Sequence, residues 1–76
     1  MYTFVITYTD NSEIVCEHIT SAVYFSAGNY EKVPETDLVT HCFSVSKPLW
    51  LYGDGKSLAI CHDNVRSIEV TKESGE

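Results

Sequence analysis

The feature that most limits what this chain can become is the spacing of its apolar residues, which recur every second position. Tyr2, Phe4, Ile6 and Tyr8 alternate with Thr3, Val5, Thr7 and Thr9. Neighbouring side chains on an extended strand point to opposite faces. A period of two in β-branched and aromatic residues therefore predicts a strand over residues 2–9. Asp10-Asn11-Ser12 is turn chemistry, because short polar side chains bond their own backbone and tolerate positive φ. Glu13 to Ile19 then reads as the returning strand of a hairpin.

The same grammar continues along the chain. Ala22 to Ser26 predicts a third strand, Ala27-Gly28-Asn29 a turn, and Tyr30 to Val33 a strand pairing back across it. Pro34 lacks an N–H and stops that strand. Glu35 to Val39 offers one short helical turn. Thr40 to Val45 predicts a strand, broken by Ser46-Lys47-Pro48. Leu49 to Tyr52 and Ser57 to His62 flank Gly53-Asp54-Gly55-Lys56, the strongest hairpin signal in the chain. Val65 to Thr71 follows as a last strand, with Ile68 and Val70 alternating against Ser67, Glu69 and Thr71. Residues 72–76 are polar and without an apolar anchor, so they are expected to fray.

These runs predict one β-rich domain over residues 1–71, mostly antiparallel and built from hairpins. Six or seven short strands would form a small barrel or sandwich, with at most one short helical turn. There is also an internal similarity. Tyr8-Thr9-Asp10, Val15-Cys16 and Ile19-Thr20-Ser21 run beside Tyr52-Gly53-Asp54, Ile60-Cys61 and Val65-Arg66-Ser67, the offset drifting from 44 to 46 residues. Convergent hairpin chemistry explains this, and so does a pseudo-two-fold pair of three-stranded units.

A chain of 76 residues, 43% hydrophobic, supports a thin core. Five Tyr, three Phe and one Trp strengthen it, since a buried aromatic ring covers a large area. The first strand carries no charge on either face. It is expected to be central, or an edge covered by a partner, and a homodimer is one way to cover such an edge.

Composition excludes several function classes. Eleven acidic residues against five basic ones give a net charge of −6, and residues 1–31 contain Asp10, Glu13, Glu17 and Glu31 without any Lys or Arg. Nucleic-acid binding needs cations on phosphate, so direct contact with DNA or RNA is disfavoured, as is adsorption to anionic lipid. A basic protein is the electrostatically natural partner. No apolar run reaches the length of a membrane span, and no signal peptide is expected. Three cysteines, Cys16, Cys42 and Cys61, cannot all pair within one chain. Buried free thiols in a reducing, cytoplasmic setting are expected.

Each cysteine lies beside a histidine: Cys16 with His18, His41 with Cys42, Cys61 with His62. Adjacent strand residues face opposite ways, so only Cys16 and His18 are expected to share a face. Paired C-x₂₋₄-C knuckles are lacking, and no metal site or cofactor is predicted. A Cys–His nucleophile would need a base, an orienting group and a substrate cleft, and Gly53-x-Gly55 lacks the helix that phosphate binding requires. The expected protein is not an enzyme. Trp50 and Tyr52 share one strand face, with Leu49 and Leu51 on the other. They are the candidate partner-binding anchors, with Asp54 at the adjacent turn and Asp10, Glu13 and Glu17 of the first hairpin as an acidic rim that guides approach.

Ile6-Thr7-Tyr8-Thr9-Asp10, Leu49-Trp50-Leu51-Tyr52-Gly53 and Val65 to Glu73 together resemble small uncharacterised proteins from prophages and mobile elements of Gram-positive bacteria. The resemblance implies a cytoplasmic accessory protein of the phage type and brings no catalytic motif. Inhibitors of host defence, anti-CRISPR proteins among them, belong to that setting and act by stoichiometric binding. The expected function is thus an acidic protein-interaction module, inhibiting a host nucleic-acid-binding protein. The alternative is a self-associating structural β subunit of a virion or dimeric scaffold.

Overall fold

The computed structural model describes residues 1–73 and is mostly β. The strands are β1 (Tyr2–Tyr8), β2 (Glu13–Ile19), β3 (Ser21–Ser26), β4 (Asn29–Val33), β5 (Leu49–Gly53), β6 (Lys56–Ile60) and β7 (Val65–Lys72). A single 3-10 turn, Glu35–Asp37, stands between β4 and β5. Two antiparallel sheets result, one ordered β2-β1-β7 and the other β4-β3-β5-β6. They form a sandwich and do not close into a barrel. β1 is central in its sheet, the first of the two positions expected from its uncharged faces.

Turn chemistry sets the hairpins. Ala27-Gly28 and Asp54-Gly55 each place two positive-φ residues between paired strand ends, Ser26 with Asn29 and Gly53 with Lys56. Two left-handed residues in succession twist a turn to match the strands it joins. In the first hairpin, Asp10 Oδ1 accepts hydrogen bonds from Ser12 N–H at 2.9 Å and Ser12 Oγ at 2.6 Å.

The internal similarity has a counterpart in the topology. Each half of the chain makes a hairpin, β1-β2 or β5-β6, and then a strand that crosses to the other sheet. β3 pairs with β5, and β7 pairs with β1. The orders β2-β1-β7 and β6-β5-β3 are therefore equivalent, with β4 added at one edge.

Between the sheets lie Phe4, Ile6, Cys16 and Ile19 from one layer and Ala22, Leu49, Leu51 and Ile60 from the other. At Gly53 the crossing backbone comes so close that a Cβ would overlap the His18 carbonyl oxygen and lie 2.8 Å from Thr20 N. Thr20 N–H donates to the Tyr52 carbonyl at 2.8 Å, tying the sheets where the chain passes from one to the other.

Three expectations are corrected. Thr40 to Val45 is not a strand. Thr40 and His41 N–H both bond the Asp37 carbonyl, so the chain keeps turning beyond the 3-10 segment. Fully buried Leu38 and half-buried Phe43 anchor this irregular stretch on the core. Cys16 and His18 do not share a face: the ladder jumps from Phe4–Cys16 to Tyr2–Ile19, leaving Glu17 and His18 opposite Thr3. This bulge inserts one residue, takes His18 to φ 62°, and turns Cys16 and Ile19 both inward. The tail does not begin at residue 72. β7 continues through Lys72, and Glu73 bonds the first sheet, its N–H donating to the Met1 carbonyl at 3.2 Å. The remaining residues of the expected frayed tail, 74–76, lie outside the described residues.

Candidate interaction surface

Alternation on β5 puts Leu49 and Leu51 into the core, so Trp50 and Tyr52 face outward. The register then decides their neighbours. Trp50 stands between Val23 and Ala59, and Tyr52 between Ser21 and Ser57. One row further, Phe25 pairs with Tyr30. Their rings meet edge to face, with centroids 4.9 Å apart. The Tyr30 ring reaches on to Trp50 at 5.6 Å. Phe25, Tyr30 and Trp50 thus form a continuous aromatic ladder across the outside of the four-stranded sheet, with Tyr52 further along β5. Tyr30 is 70% exposed and Tyr52 38%. Each ring supplies contact area at low entropic cost, and Tyr and Trp keep a polar handle for a partner.

The charges lie elsewhere. In the outward rows of this sheet, Lys32, across from Val23, is the only charged residue. Of the residues expected to act together, Trp50, Tyr52 and Asp54 lie on β5 and the turn after it. Asp54 is exposed, at φ 50°. Asp10, Glu13 and Glu17 are carried by the β1–β2 hairpin of the other sheet, so they do not ring Trp50. Glu13 pairs with Thr7, and Glu17 lies in the bulge with a carboxylate oxygen 4.0 Å from His18 Nε2. The Asp10 carboxyl is held below the ordinary aspartate value, chiefly by the Ser12 hydroxyl and then by the Ser12 N–H.

Val23, Phe25 and Tyr30 complete the surface and were not singled out from sequence. Alternation in β3 could have paired Val23 with Phe25 on one face. Bringing Phe25 and Tyr30 beside Trp50, however, needs the β3–β5 pairing between residues far apart in the chain.

The thiols differ from expectation in two cases. Cys16 is buried, and that burial pushes its pKa up. Cys42 and Cys61 are exposed, one in the irregular stretch and the other just past the end of β6. Among the described residues no group of three or more His, Cys, Asp or Glu is placed to hold a metal ion. No helix among them is long and apolar enough to cross a membrane.

The class defined by this geometry is a small two-sheet β module with an aromatic outer face. Comparison of the chain with protein-family models, curated proteins and solved structures gave no match.

Proposed function

We propose that the chain is a non-enzymatic protein-interaction module that docks a protein partner on its Phe25–Tyr30–Trp50 face. The observation that carries this reading is the unbroken contact of those three rings on a solvent-facing sheet, with Tyr30 70% exposed. Solitary exposed apolar residues are ordinary on protein surfaces, whereas contiguous aromatic ones concentrate binding energy. The net charge of −6 supports a partner of basic character. With Asp10, Glu13 and Glu17 on the other sheet, those acids act on the approach of that partner and the rings hold the contact. An inhibitor that occupies a nucleic-acid-binding protein in the cytoplasm is the specific form of this role that the charge supports.

A second reading, self-association, rests on one observation: the aromatic face carries no carboxylate in a strongly acidic chain. Two copies could meet there without burying like charges against each other.

The test is affinity capture with the wild-type chain and a Tyr30→Ser/Trp50→Ser variant, paired with light scattering of both alone. A defined partner bound at fixed stoichiometry by the wild type and lost with the variant supports the module. Retention by the variant contradicts it. A concentration-dependent dimer that the variant abolishes, with no foreign partner, favours self-association.

A further inference from the structure

A second site lies on the inner side of the same sheet, where the irregular stretch 39–48 folds back over β3 and β5. It is a pocket of about 120 Å³ walled by the rings of Tyr24, His41 and Phe43, with Cys42, Ser44, Lys47 and Leu49 completing it. The walls are fixed to one another. The Tyr24 and His41 rings are 5.2 Å apart, His41 and Phe43 4.6 Å, and Phe43 meets core residue Phe4 edge to face at 5.4 Å.

Lys47 sets the chemistry of this pocket. Its ammonium donates to Ser26 Oγ at 2.8 Å and lies 5.9 Å from the centre of the Tyr24 ring. Both partners are neutral. Glu31, the cross-strand neighbour of Tyr24, makes no ion pair with it, and among the described residues no other carboxylate does. In a strongly acidic chain this half-buried cation thus has no ion pair among the described residues. An ammonium has three donors and the described residues take up one of them, so an anionic acceptor entering the pocket finds its partner in place. Ser44 Oγ, 3.0 Å from Ser46 Oγ, adds a hydroxyl at the wall.

We propose that this pocket binds a small carboxylate borne on a flat ring. The ammonium takes the carboxylate and the aromatic walls take the ring. An enclosed apolar cavity of roughly 150 Å³ accepts benzene, so this smaller, partly open pocket of about 120 Å³ takes in a single ring, with the rest of the ligand at its mouth. Inorganic phosphate would use the cation and leave the rings unused. The carboxylate has two sources, a free ring-bearing acid or the C-terminus of a peptide ending in Phe. The site is separate from the aromatic outer face and stands or falls independently of it.

The experiment is an NMR titration of the full chain with benzoate, benzamide, inorganic phosphate and a short peptide ending in Phe, each to about 10 mM. Saturable shifts confined to Tyr24 and residues 41–49 are expected with benzoate or the peptide, and the tighter of the two assigns the source. Benzamide should bind at least about tenfold more weakly, and Lys47→Met should weaken benzoate by a similar factor. Should Lys47→Met fail to fold, Ser44→Ala should still show a smaller loss. Equal binding of benzoate and benzamide, preference for phosphate, absence of shifts with both carboxylates, or unchanged benzoate binding by the folded Lys47→Met variant would each overturn the proposal.

Discussion

The imidazole Nδ1 of His18 lies 2.9 Å from Glu73 Oε1, joining positions 55 residues apart across the first sheet. The other carboxylate oxygen accepts the His18 backbone N–H at 2.6 Å and the Thr3 hydroxyl at 3.1 Å. His18 occupies the bulge, where the extra residue interrupts the ladder and needs an acceptor from outside it. Glu73 supplies that acceptor and fastens β2 to the end of β7.

Acid sensitivity follows from this clasp. The Glu73 carboxyl is held below its ordinary value of 4.5, first by the His18 N–H, against partial burial, with the His18 and Thr3 side chains adding to the effect. A carboxylate depressed in the folded state stabilises the fold above its unfolded value, and that stability disappears as pH falls through the lower, folded value. Glu73→Gln should therefore melt below the wild type at neutral pH. The gap should close in acid once both carboxyl states are protonated. Thermal melts across that range check it, and a gap independent of pH would contradict the charge assignment.

Two glycines on one hairpin should respond very differently to alanine. At Gly55, φ is +73° and no atom lies within 4 Å of an added Cβ, so Gly55→Ala should cost about 1 kcal/mol in backbone strain. At Gly53 the added Cβ meets the His18 carbonyl, Thr20 N and Ile19 Cα, all backbone atoms. Gly53→Ala should cost more than about 3 kcal/mol, because the crossing between the sheets must open. Urea denaturation of the two variants measures the difference.

Tyr30→Ala and Leu51→Ala should separate contact from core. Leu51 is fully buried, and its truncation should cost about 2–5 kcal/mol of folding stability. Tyr30, largely exposed, should cost less than about 1 kcal/mol in stability while weakening partner binding by about 2 kcal/mol or more. Denaturation and binding isotherms on the same preparations test both halves of the statement.

Reversing Glu13 and Glu17 to Lys should slow association with a basic partner and flatten its dependence on salt, leaving the fold intact. Both acids are exposed and lie away from the rings, so their contribution is to the field met on approach. Association rates at low and high ionic strength decide it, and unchanged rates at low salt would remove steering from the account.

Much of this architecture was legible because strands and turns are written locally. The alternation from Tyr2 to Tyr8, the Asp54-Gly55 turn and the stop at Pro34 each need only neighbouring residues. The bulge at Glu17-His18 was not legible, since it inverts the facing of Ile19 without any local mark. The stretch after Thr40 misled for a related reason. Its β-branched residues suit a strand, but the buried Leu38 and the Phe4–Phe43 contact hold it in irregular form. Trp50 and Tyr52 could be picked out from β5 alone, whereas Phe25 and Tyr30 join them only through long-range pairing.

Trp50 is the chain's single tryptophan, so its fluorescence reports on the proposed contact surface without ambiguity. The decisive measurement is quenching of that fluorescence by acrylamide, free and with saturating captured partner. The account predicts a blue shift and loss of quencher access in the complex, both absent when the partner is added to Phe25→Ser/Tyr30→Ser, which keeps Trp50 but breaks the ring ladder that holds the partner. A stoichiometric complex in which Trp50 stays as accessible as in the free chain would contradict it.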